Sequence, residues 1–190
     1  MRSKAFALLT LVFLMSVYYG YSVAKENPEF YKNYIEQFFS KFKFIKNYSS
    51  EMLVLVIFCN NAIKSLVFML TGFFFGIAPL VFIAANGFLL GLVLAIKEQS
   101  MGIFNVLMLI VPHGILEIPA VLLASSQGVV LGYRFYEALF KGKEFRVYVI
   151  DSIKFYLKFV LPILLIAAFV EVYVTPYIAS LIFGISKQIP

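Results

Sequence analysis

Charge is scarce in this chain of 190 residues: Asp, Glu, Lys and Arg make up 14%, against 62% hydrophobic residues. A soluble domain carries about 25% charged and about 45–50% apolar residues. One small core cannot hide that much apolar surface, so lipid is the solvent that fits. Cysteine is nearly absent. Cys59 stands alone inside an apolar run, so no disulfide forms within the chain. One cysteine and one histidine, His113, exclude a zinc site built from those ligands alone, and no metal or cofactor is expected. Tryptophan is missing altogether, so an interfacial aromatic belt must use tyrosine. Tyr18, Tyr19, Tyr21, Tyr133 and Tyr136 lie near the ends of apolar runs, as that requires. Enzyme motifs are also missing: no His-Glu-x-x-His helix, no Gly-x-Ser-x-Gly elbow and no phosphate loop. Ser65 and Ser125 could in principle be served by His113, but nothing singles them out, and the expectation is a protein that is not an enzyme.

What remains is basic and long-runned. The net charge is +6, and its Lys and Arg flank apolar runs. That pattern sets membrane topology and meets anionic lipid rather than nucleic acid. Residues 5–23 follow Arg2 and Lys4 and lack a small-residue cleavage site, which predicts a retained first span with the N-terminus cytoplasmic. Residues 28–48 place Tyr31, Tyr34, Ile35, Phe38, Phe42 and Ile45 on one helical stripe, opposite Lys32, Glu36, Ser40 and Lys43. This is an amphipathic helix at the interface or over the bundle. Further spans are expected at 52–71, 74–96, 103–124 and 159–183. Lys97 to Ser100 reads as an exposed loop. The fourth span is expected to break at 112–114, through Pro112 and Gly114, or to be re-entrant over 103–114. Residues 134–158 form the strongest basic loop, cytoplasmic by the positive-inside rule, and five spans place it on the same side as the N-terminus. The expected fold is all-α. It is a single polytopic transmembrane helical bundle of about five spans in the cell membrane, with one broken helix and one interfacial amphipathic helix.

Small residues recur four apart. Gly72 and Gly76, then Gly87, Gly91 and Ala95, then Ala120, Ala124, Gly128 and Gly132 form flat ridges where backbones approach closely. They serve packing within the chain or a homodimer by the same chemistry. The segment 85–91 loosely matches 126–132, each after a proline, Pro79 or Pro119. An inverted repeat of that kind is typical of transporters.

A polar group in hydrocarbon is costly unless it finds a partner, so each is a site candidate. These are Asn60, Asn61, Lys64, Asn86, His113, Glu117 and Glu171. Asn60 and Lys64 share a helix face, as do His113 and Glu117. A His–Glu pair near the midplane can pass a proton or hold a cation, or only fix packing. Pro112 removes a backbone donor beside that pair, which is how several transporters open an ion site. Glu171 has no basic neighbour in sequence, and Lys64 is the expected partner.

The Asn60-Asn61 pair, the Asn86-Gly87-x-x-x-Gly91 segment and Pro112-His113-Gly114-Ile115-x-Glu117-x-x-Ala120 together resemble the stage II sporulation protein M family. The resemblance runs from about the second span to the end of the chain. It implies a polytopic helical membrane protein. In endospore formers the namesake is similar to a membrane anchor that recruits cell-wall hydrolases during engulfment. Two functions therefore stand. One is a channel or transporter for protons, cations or a small solute, using the seven polar residues. The other is a non-enzymatic scaffold that recruits protein partners, with the same residues as glue between helices.

Overall fold

The computed structural model describes residues 1–40 and 48–183, and among them every regular element is helical. The elements are α1 (Arg2–Glu26), α2 (Pro28–Ser40), α3 (Ser50–Leu70), α4 (Ile77–Met101) and α5 (Ile103–Lys141). A last helical run holds α6 (Phe145–Phe155), α7 (Leu161–Phe169) and α8 (Thr175–Phe183). Five helices are long and apolar enough to cross a membrane: α1, α3 with the turn after it, α4, α5, and the run from Phe145 to Ile182. This is the all-α bundle the sequence implies.

The first span and the amphipathic helix are close to expectation. Within α2, Ile35 is buried against Ala24, Leu92 and Ala95, with Tyr31 beside it. The stripe thus covers the end of the bundle where α1 and α4 finish. Tyr34 stays exposed. Residues 41–47, which carry Phe42 and Ile45, lie outside the described residues, and so does the side chain of Phe38.

Three boundaries differ from the sequence reading. Helix α4 continues through Lys97 to Met101, so the expected loop is its last turn. Helix α5 is continuous from Ile103 to Lys141 with Pro112 and Pro119 inside it, so 112–114 is not a break and 103–114 is not re-entrant. Prolines inside spanning helices are tolerated where neighbouring groups can re-satisfy the freed backbone. Finally, 134–158 is not a loop. Helix α5 runs to Lys141, a three-residue link follows, and α6 starts at Phe145. Gly102 (φ 78°) and Gly142 (φ 65°) supply the left-sided backbone that lets the chain reverse without a strained side chain.

The real irregularities are in the last run, at Tyr156–Val160 and Val170–Val174, both wound as π turns. Each lies just before a proline. The N–H of Leu161, before Pro162, bonds to the Tyr156 carbonyl, and that of Thr175, before Pro176, to the Val170 carbonyl. A proline ring crowds the carbonyl four residues back, so the turn ahead of it loosens by one residue.

The small-residue ridges are spent inside the chain. A Cβ on Gly91 would strike the Val17 carbonyl oxygen, and one on Gly20 that of Phe88. A Cβ on Gly87 would sit 2.6 Å from the Phe13 carbonyl oxygen. These three glycines bring α1 against α4. Gly72 and Gly76 meet Gly128 and Gly132 in the same way, locking the α3–α4 turn onto α5. A homodimer would have to use other surfaces.

The deepest core joins Ala62 and Met69 of α3, Ala120 and Ala124 of α5, and Tyr156, Val160 and Leu164 of the last run. Tyr156 is fully buried. Its hydroxyl donates to the Ala62 carbonyl at 2.7 Å and lies 2.9 Å from Ser65 Oγ. Tyr156→Phe is therefore expected to destabilise the bundle by about 1–2 kcal/mol, since it removes the buried hydroxyl contacts to Ala62 and Ser65. Denaturant titration in micelles would measure it, and an unchanged midpoint would mean the hydroxyl contributes nothing.

Candidate functional site

The order of the helices gives the bundle two ends. Arg2 Nε donates to Gln127 Oε1 at 2.7 Å, and its guanidinium lies 3.9 Å from the Phe155 ring centre. The chain start, the middle of α5 and the α6 segment thus meet at one level, which we term the basic end. Gln127 in turn donates to Ser152 Oγ at 2.8 Å. At the opposite end Glu98 of α4 accepts from Tyr21 at 2.6 Å and Lys25 at 2.9 Å, both on α1.

Between the two ends, α5 and α8 run antiparallel and place the polar residues. His113 Nδ1 lies 3.3 Å from Thr175 Oγ1. The same hydroxyl donates to the Val170 carbonyl at 3.4 Å, across the π turn. With its proton used there, the hydroxyl would accept from Nδ1–H of the ring. One turn from His113 along α5 is Glu117, and one turn back from Thr175 is Glu171. In an antiparallel pair these two positions face each other. The two carboxyl groups are within electrostatic range of one another, and both are half-buried. The loosened turn that carries Glu171 is of the kind that recurs at functional sites.

Lys64 joins from α3. Its charge acts on Glu117, whereas Glu171 has the like charge of Glu117 as its electrostatic neighbour. The expected Lys64–Glu171 pairing is not formed; the charge of Lys64 is felt at Glu117 without a direct ion pair. Among the described residues the direct ion pairs all lie at the ends of the bundle, and none joins these three. No group of three or more His, Cys, Asp and Glu among the described residues could hold a metal ion.

The asparagines do not join this group. Asn60 is exposed and donates to Asn61 Oδ1 at 3.1 Å. Asn86 is exposed and donates back to the Phe82 carbonyl of its own helix at 2.7 Å. Sequence reasoning placed all seven residues together because a linear chain hides which way each face turns. It missed Thr175, whose signal was its place before Pro176. It also missed the buried polar residues Ser126, Gln127, Ser152 and Tyr156, which are bonded into the packing, as is Ser65. Ser125 is fully buried, and its hydroxyl has no partner among the described residues.

Two clefts among the described residues are notable. The larger, about 480 Å³, is lined by apolar side chains of α1, α4 and α5, including Phe13, Leu14, Leu107, Ile110 and Ile118. The smaller, about 350 Å³, lies at the basic end beside Met1, Phe75 and Tyr136. Neither is lined by His113, Glu117 or Glu171.

The motif residues that carried the family resemblance lie on α3, α4 and α5 of this bundle. The profile of the family described as Stage II sporulation protein M matches residues 9–176, from the first span into α8. The chain belongs to that family. The chain is also similar to two proteins from Methanocaldococcus jannaschii, both described only as uncharacterised. One is 34% identical over 125 residues, covering 63% of this chain and 70% of that protein. The other is 27% identical over 195 aligned residues, covering 96% of this chain and 86% of that protein. No solved structure matches. This member of the Stage II sporulation protein M family is accordingly a multi-pass integral membrane protein, with the Pro112-to-Ala120 motif on the helix that carries His113 and Glu117.

Proposed function

We propose that this protein is a non-enzymatic channel or transporter that moves protons, small cations or a small solute between α3, α5 and α8. One observation carries the reading: Glu117 and Glu171 lie one turn along antiparallel helices from the His113–Thr175 contact and act on one another electrostatically, with Lys64 in range of the first. With both carboxyl groups ionised, two carboxylates and one ammonium need one further positive charge, which a proton on either carboxyl supplies as well as a cation does. A half-buried pair of carboxyl groups beside the exposed Lys64 is suited to take up and release a proton or a cation. His113 and Thr175 brace the same helix pair one turn away. The basic end faces the cytoplasm of the cell membrane in this reading, because Lys and Arg gather there.

A second reading has its own support. The two clefts are lined mainly by apolar side chains, and Arg2, Gln127 and Ser152 are bonded to one another. A scaffold that recruits membrane protein partners would have such an interior, and it agrees with the role implied by the family's namesake. Proteoliposome flux of protons and monovalent cations separates the two. Wild type should conduct, and Glu117→Gln and His113→Ala should lower the rate at least about tenfold, the scale of one lost charge-assisted contact. Equal, background-level flux in all three proteins would discard transport in favour of the scaffold.

A further inference from the structure

The helical hairpin that replaced the expected loop has a use of its own. Helix α5 has 39 residues, about 58 Å of helix, against about 30 Å of hydrocarbon in a bilayer. The excess is at the basic end. The α3–α4 turn is taken as the edge of the hydrocarbon there, since it links two spanning helices. It is uncharged, exposes Phe74 and Phe75, and is level with Gly128 and Gly132. Lys141 lies nine residues beyond Gly132, about 13 Å further out. That sets the hairpin tip at the headgroup layer, within reach of side chains that lean back toward it.

The tip is organised. Glu137 is only 5% exposed and gathers three cations. It accepts from Arg134 at 2.7 Å and Lys143 at 2.9 Å, with Lys141 at 3.6 Å. Arg134 is held from the other side by the Tyr148 ring at 4.8 Å. The Glu137 hydrogen bond raises Lys143 above the ordinary lysine range, so its charge is secure. One carboxylate for three cations leaves an excess of two positive charges, and both lysines keep exposed N–H donors. Beside them Phe140 and Leu139 stand 68% and 57% exposed. Apolar side chains next to a basic cluster suit a lipid surface: the rings enter the acyl boundary while the cations meet phosphate.

We propose that the tip of the α5–α6 hairpin is a built binding site for the phosphate headgroups of anionic lipids, with Glu137 holding Arg134, Lys141 and Lys143 in one cluster. The inference is independent of the transport reading. Native mass spectrometry of the full chain, titrated with phosphatidylglycerol or phosphatidylcholine, tests it. Wild type should prefer the anionic lipid, and Lys141→Gln with Lys143→Gln should cut that preference about tenfold. Lys25→Gln, at the opposite end, should leave it intact. Glu137→Gln is the sharpest arm. It adds a positive charge, yet it should weaken the preference because the three cations lose their anchor. Binding in Glu137→Gln as tight as wild type or tighter would overturn the built site and leave only diffuse attraction. Equal loss in Lys25→Gln would overturn its location.

Discussion

Gly91→Val is expected to remove the folded protein from detergent extracts altogether. Gly91 lies where α4 crosses α1, and even a first side-chain carbon there would strike the Val17 carbonyl oxygen. The obstacle is backbone, so no rotamer change relieves it. Overpacking a core against movable side chains typically costs about 1–3 kcal/mol. Against a helix backbone the two helices must separate, and Gly20 and Gly87 lose their close contacts in the same step. A marginal stability of about 5–15 kcal/mol does not absorb that comfortably. Gly114→Ala is the control. Its added carbon would meet only Ile110 and Ile118 side chains, at 3.6 Å, so it should extract and elute as wild type. Size-exclusion profiles of both variants decide the matter. A normal Gly91→Val peak would mean that α1 does not pack where the structure places it.

Glu171→Gln is expected to bring cation flux to background while leaving the fold intact. The substitution keeps the shape of the side chain and removes one charge from a cluster of two carboxyl groups and one ammonium. Lys64 then balances Glu117 by itself, and no cation is needed for neutrality. The amide also spares the protein the burial of a carboxyl group beside the like charge of Glu117, so stability should hold or rise slightly. The test is a paired measurement, flux in proteoliposomes and thermal midpoint in micelles. Loss of flux with a retained midpoint supports the site. Loss of both would make Glu171 a packing residue. Retained flux in a wild-type-like protein would remove Glu171 from the path.

Much of this architecture was legible without coordinates. The five spans could be read from run length and missing charge, because a backbone in lipid must close its own hydrogen bonds and helices do so within one segment. The glycine spacing announced close helix contacts. The basic segments at 2–4 and 134–158 were expected on one side, and the Arg2–Gln127 bond places their helices together. The break in α5 was misplaced. Proline pattern alone suggested it at Pro112, yet the loosened turns fall before Pro162 and Pro176, where the last run bends over the core. Sequence carries the lost N–H but not the neighbours that decide whether a helix can absorb it.

The candidate site divides in the same way. Composition determined that His113, Glu117, Lys64 and Glu171 had to be accounted for, because charge in hydrocarbon is rare and costly. Only the tertiary structure decided which of them meet. Asn60 and Asn86 turned outward, Thr175 entered beside His113, and Lys64 acted on Glu117 instead of Glu171. The reason is geometric. Helix periodicity fixes which residues share a face of one helix, but the register and rotation of one helix against another depend on contacts between residues far apart in the chain, here the glycine crossings of α1 on α4 and of the α3–α4 turn on α5.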